Sequence, residues 1–103
     1  MLFSIIIPSF NQDKFIRDTL DNVLELKNRS VEKNIDIEIL LFDSESDSDV
    51  QKIIAEYSSR LDYLEIKKDK GQYDAINKGI ERCKGEYWTW LNTDDLIDVE
   101  GFL

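Results

Sequence analysis

Two short apolar runs set the period of the first half of the chain. Phe3-Ser-Ile-Ile-Ile-Pro8 is β-branched and ends on proline, and Ile35-Asp-Ile-Glu-Ile-Leu-Leu-Phe42 alternates strictly before becoming wholly apolar. Both patterns predict buried strands, since alternation shows one face to a core and an unbroken apolar run shows both. Between them Phe15, Ile16, Thr19, Leu20, Val23 and Leu24 recur at the spacing of one helix face, with Asn11 or Asp13 placed to cap its start. The polar stretch Leu26 to Asn34 is expected to be an exposed connecting loop.

The second half repeats the scheme. Val50, Ile53, Ile54 and Tyr57 fall at i, i+3, i+4, i+7, and Ser46 with Asp49 three residues later matches a capping box for that helix. Tyr63 to Ile66 predicts a third strand, Tyr73 to Cys83 a third helix leading to Gly85, and Tyr87-Trp-Thr-Trp-Leu91 a fourth strand of strong β formers. A last apolar pattern, Leu96-Ile97 with Phe102-Leu103, has begun when the sequence ends, so a further strand and a domain cut short are expected. Strands alternating with helices predict an α/β fold, a mainly parallel sheet with helices on both faces and right-handed crossovers.

Composition narrows the field. With 42% hydrophobic residues in 103, the chain can bury the core of one domain, and no linker or repeat divides it. There is no histidine to activate the single cysteine, Cys83, so hydrolase schemes that need one are excluded, and Cys83 is expected to pack on its helix. The lone cysteine and the absence of any signal sequence or membrane-length apolar run predict a cytoplasmic setting. Twenty-two acidic against 13 basic residues, a net charge of −9, argue against a nucleic-acid partner. The same charge means that an anionic ligand would need local help from a metal ion or from helix N-termini.

Ligands of such sheets sit beyond the carboxyl ends of the strands. Four polar loops should converge there: Pro8-Ser9-Phe10-Asn11, Asp43-Ser44-Glu45-Ser46-Asp47, Asp69-Lys70-Gly71, and Asn92-Thr-Asp-Asp95. Asp94 and Asp95 would repel each other unless a cation sat beside them, which suits a hard divalent ion; the alternative is a turn that caps the next helix. Asp43 stands where an acidic side chain can accept from a ribose or base, its alternative being a helix cap. Lys70-Gly71 can meet phosphate, and Tyr73, Asp74 and Asn77 follow on the first turns of the third helix. A calcium loop over Asp43 to Ile54 is disfavoured by Ser48 and Ile54 where glycine and glutamate belong, and a dehydrogenase by the missing Gly-x-Gly-x-x-Gly.

Taken together, Ser4-Ile-Ile-Ile-Pro-Ser-Phe-Asn11, Glu38-Ile-Leu-Leu-Phe-Asp-Ser44, Gly71-Gln-Tyr-Asp-Ala-Ile-Asn-Lys-Gly79 and Gly85-Glu-Tyr-Trp-Thr-Trp-Leu-Asn-Thr-Asp-Asp95 resemble, in order and across the whole chain, family 2 glycosyltransferases. These are inverting enzymes of the Rossmann-like GT-A fold, a three-layer α/β sandwich. The resemblance implies that residues 1–103 are the N-terminal part, binding a nucleoside-diphosphate sugar for transfer to a glycan or lipid-linked acceptor. It implies nucleotide contacts from Pro8, Ser9, Asn11, Asp43, Lys70, Asp74 and Asp94, and Mg or Mn held by Asp95 and Asp94. Asn92 departs from a strict Asp-x-Asp and leaves the division between the two aspartates open. The catalytic base is expected outside this chain, with transfer by the 103 residues weak or absent. A homodimer through an exposed sheet edge and a peripheral place at the inner membrane face complete the expectations. The competing reading is a non-enzymatic flavodoxin-like or receiver-like module, which predicts a completed five-strand pattern.

Overall fold

The computed structural model describes residues 1–103. Its elements run β1 (Leu2–Ser9), α1 (Ile16–Ser30), β2 (Asp36–Asp43), α2 (Ser48–Tyr57), β3 (Tyr63–Ile66), α3 (Gln72–Arg82), β4 (Tyr87–Trp90) and α4 (Val99–Phe102), with single 3-10 turns after α1 and α2. The four strands form one parallel sheet in the order β3-β2-β1-β4. The chain steps outward from β1 to β2 to β3, then crosses back to β4 on the far side of β1. A right-handed crossover whose direction reverses must also change face. Accordingly α1 and α2 cover one face and α3 the other, the three-layer arrangement expected from the sequence.

The period of two sorts each strand between the layers. Ile5, Ile7, Ile37, Ile39 and Leu41 join Leu20, Val23, Val50 and Ile54 in the larger core, while Ile6, Leu40 and Phe42 meet Ala75 beneath α3. Ile5 to Ile7, Ile39 and Leu41 are completely buried, each side chain contributing about 1.5–3 kcal/mol of transfer free energy. In-register pairing of Ile5 with Ile39 and Ile7 with Leu41 keeps both sets on their faces.

Three expectations are corrected. Residues 26 to 30 are helix rather than loop: Leu26 and Ser30 are fully buried and extend the stripe set by Thr19 and Val23, while Glu25, Asn28 and Arg29 take the solvent side. The helix stops after its 3-10 turn, where Asn34 turns left-handed at φ 58°. At α2 the cap is Asp47, which accepts from Val50 N (3.2 Å), because the Ser46 hydroxyl is drawn inward to Asp43. After β4 no fifth strand begins; Val99–Phe102 is a short helix whose Phe102 meets Phe3 edge-on at 5.1 Å. No helix is long and apolar enough to cross a membrane.

The α3 layer is seated by glycine. A Cβ at Gly79 would stand 2.5 Å from Ile6 Cγ2, inside van der Waals contact with a fully buried side chain. Gly79→Ala would recover up to ~1 kcal/mol of helix propensity but incur about 1–3 kcal/mol of overpacking. It should therefore lower the unfolding free energy measured in urea, whereas a gain would mean that α3 does not rest on Ile6.

Candidate functional site

The carboxyl ends of β1 and β2 are tied by a buried polar knot. Asp43 is 1% exposed, and both its oxygens accept from Ser46, Oδ2 from the backbone N–H (2.8 Å) and Oδ1 from the hydroxyl (2.5 Å). The Ser46 hydroxyl in turn accepts from Asn11 N (2.9 Å), and Asn11 Oδ1 accepts from Asp47 N (2.9 Å). Asn11 does this from a left-handed conformation, φ 49°, that asparagine tolerates. A buried carboxyl group with both oxygens hydrogen-bonded beneath the two loops ties them together, since each donor it engages would otherwise be buried unpaired.

The third loop hangs on the second. Asp69 N donates to Ser44 Oγ (3.1 Å), Lys67 N to Asp43 O (2.9 Å), and Asp69 Oδ1 accepts from Gly71 N (2.9 Å). Gly71, at φ 118°, then opens α3. The fourth loop is held from α1: Thr19 Oγ1 donates to Thr93 O (2.7 Å) and lies 3.2 Å from Asp95 O, and the Asn22 amide bonds both backbone groups of Ile97. Asp94 and Asp95 stand exposed at the tip of this loop.

These four loops enclose an open cleft of about 800 Å³, lined by Pro8, Ser9, Phe10 and Gln12, by Ser44 and Glu45, by Lys68, Asp69, Gly71 and Gln72, and by Asn92, Thr93 and Asp94. It lies at the ends of β1 and β4, where the winding reverses, the usual place for a ligand in an open α/β sheet. Ser9 borders it at 5% exposure, and its hydroxyl, buried behind the wall, is the only buried side-chain polar atom without a hydrogen-bond partner. Three carboxylates, Glu45, Asp69 and Asp94, face one ammonium, Lys68, so a diphosphate could enter only with added positive charge. Part of it comes from the N-terminus of α3, where Gly71 and Gln72 border the cleft. Nowhere do three or more Cys, Asp or Glu side chains cluster tightly enough to hold an ion unaided. Two adjacent carboxylates on an exposed turn do suit a divalent ion that fills its remaining positions with phosphate and water.

The model of the family described as Glycosyl transferase family 2 matches residues 4–103. The chain belongs to that family. An uncharacterized glycosyltransferase of Rickettsia typhi is 36% identical over 95 residues, 92% of this chain and 28% of that protein. Among solved structures, S. aureus TarS in complex with UDP-GlcNAc superposes with a TM-score of 0.77 at 23% identity, covering 99% of this chain and 29% of TarS. A mannosyltransferase from Pyrobaculum calidifontis, in complex with GDP-Man and Mn2+, gives 0.74 at 21% identity over 93% of this chain and 28% of its own. The chain thus spans about a third or less of the length of these family 2 relatives.

Set against the residues singled out for the family 2 site, Pro8, Ser9 and Asp94 line the cleft. Asn11 braces its wall, and Asp43 lies beneath it with both oxygens engaged. Lys70 offers its backbone N–H to Asp74 Oδ2 (3.1 Å), while Lys68 is the lysine at the cleft. Asp95 is exposed on the rim beside Asp94. Tyr73 is 78% exposed on the outer side of α3, and the Cys83 thiol is an ordinary helix-end group donating to Ile80 O (3.5 Å). Ser44, Glu45, Gln12, Asp69 and Thr93 also line it without a role singled out for their side chains; their one signal in the sequence is a place within three residues of a strand end. Since Asp43 organises the loops, Ser46→Ala should lower stability by about 1–3 kcal/mol in urea unfolding, and Ser44→Ala, which removes one half-buried hydrogen bond, by a smaller amount of about 0.5–1 kcal/mol. Equal effects would contradict the knot.

Proposed function

We propose that residues 1–103 form the donor-binding part of an inverting glycosyltransferase domain, taking a nucleoside-diphosphate sugar in the four-loop cleft. The observation that carries this is the four-loop cleft, bordered by Lys68 and the N-terminus of α3, at the winding reversal of a family 2 chain. In this reading Pro8, Ser9 and Ser44 meet the nucleoside, and the α3 N-terminus with Lys68 or Lys70 receives the diphosphate. Asp43 acts on the nucleoside through the loop that it holds.

Asp95, assisted by Asp94, would hold Mg or Mn, and Asn92 is the uncharged neighbour. A divalent ion bound there supplies the positive charge that a departing nucleoside diphosphate needs. The UDP-GlcNAc of the TarS complex and the GDP-Man with Mn2+ of the mannosyltransferase support this class of donor. The acceptor is a hydroxyl of a glycan or lipid-linked carrier, and no residue of this chain is assigned as its base. The exposed edge of β4, with Tyr87, Trp88 and Trp90 39–57% exposed, supports association into a homodimer.

Calorimetric titration of UDP, GDP and dTDP with and without Mn should show metal-dependent binding for one base, weakened about tenfold or more in Asp95→Ala. Metal-independent binding, or none in a folded sample, would contradict the donor site.

A further inference from the structure

The Asp94 and Asp95 carboxylates make no hydrogen bond or ion pair, yet the backbone around them is anchored at Thr93, Asp95 and Ile97. The anchor is on α1, an element that contributes nothing to the cleft lining. Thr19, completely buried, directs one hydroxyl at the carbonyls of Thr93 (2.7 Å) and Asp95 (3.2 Å), the two residues flanking Asp94. One turn on, Asn22 donates from Nδ2 to Ile97 O (3.0 Å) and accepts at Oδ1 from Ile97 N (2.7 Å), imitating a strand partner. Positions i and i+3 share a helix face, so the two side chains form one clamp along the loop. Val99 buries in the α1 core immediately beyond it.

Both carboxylates therefore project from a segment whose inward backbone groups are bound to α1. Bringing two like charges to one ion is opposed by their repulsion and by the entropy of ordering the loop, and a loop already ordered has only the first left to overcome. We propose that Thr19 and Asn22 are positioning residues that hold the Asp94–Asp95 turn ready for a divalent cation and diphosphate without touching either. The inference rests on the donor-site reading for its ligand but not for its geometry.

The test uses Thr19→Val, which removes the hydroxyl at similar volume, Thr19→Ser, which restores it, and Asn22→Ala as an independent cut should Thr19→Val fail to fold. Amide exchange without metal is measured first. The Ile97 amide and its neighbours in 93–98 should exchange about tenfold faster in Thr19→Val and Asn22→Ala, with the amides of β1 and β2 unchanged and Thr19→Ser close to wild type. Binding of UDP or GDP in the presence of Mn should weaken by about tenfold in the same two variants, and Thr19→Ser should recover it. Unchanged loop exchange, or faster exchange with Mn-nucleotide affinity equal to wild type, overturns the proposal. Failure of the wild-type chain to bind any nucleotide with Mn would contradict the donor site instead, a result separable from the exchange data.

Discussion

The constraint from which the rest follows is that β1 is enclosed on every side. Its residues from Ser4 to Ser9 are all buried, it pairs along its whole length with β2 and along four residues with β4, and helices cover both its faces. A strand so enclosed needs apolar or small side chains on both faces and a polar exit only at its end. Ser-Ile-Ile-Ile-Pro-Ser meets that demand, and its last residue borders the cleft. Crossing from β3 back over β1 to reach β4 also forces α3 onto the opposite face, which brings the loops of β1 and β4 together.

From there the site is organised by polar groups that, Ser44 apart, lie outside the cleft lining. Asp43 binds the first two loops together through Ser46 and Asn11, Ser44 suspends the third, and α1 restrains the fourth. The charged side chains that line the cleft are three carboxylates and one ammonium, which makes it a poor receptor for a bare anion and a suitable one for an anion carried with a cation. Function thus depends on two layers of residues, one that faces the ligand and one that fixes the loops from beneath.

The fold was legible because its signals are periodic. β1 to β4 and the three long helices follow from alternation and from i, i+3, i+4 spacing, and their order predicts a parallel sheet covered on both faces. Misplaced boundaries have a common cause: local rules are overruled by burial, which pattern and spacing alone do not show. Leu26 and Ser30 lie among charged residues yet continue the buried stripe of α1, and Ser46 forgoes its capping position because Asp43 is buried three residues earlier. The site was legible as four loops and only partly as side chains. Sequence separates an aspartate at a strand end from a serine beside it by charge, but the pleat decides which one turns inward, and here it is Asp43 that does. Thr19 and Asn22 act across more than 70 residues of sequence, and the spacing of Thr19 alone marks it only as part of an apolar stripe.

The most direct test of the central claim, that one cleft built from four loops receives a nucleotide and a divalent ion together, is a crystal structure of the chain grown with Mn and the nucleotide that binds it best. Anomalous scattering locates the ion unambiguously. The account predicts one strong Mn peak against the Asp94–Asp95 turn and against the diphosphate, with the nucleoside between Ser9 and Ser44. An ion bound elsewhere, or a nucleotide seated outside this cleft, would contradict it.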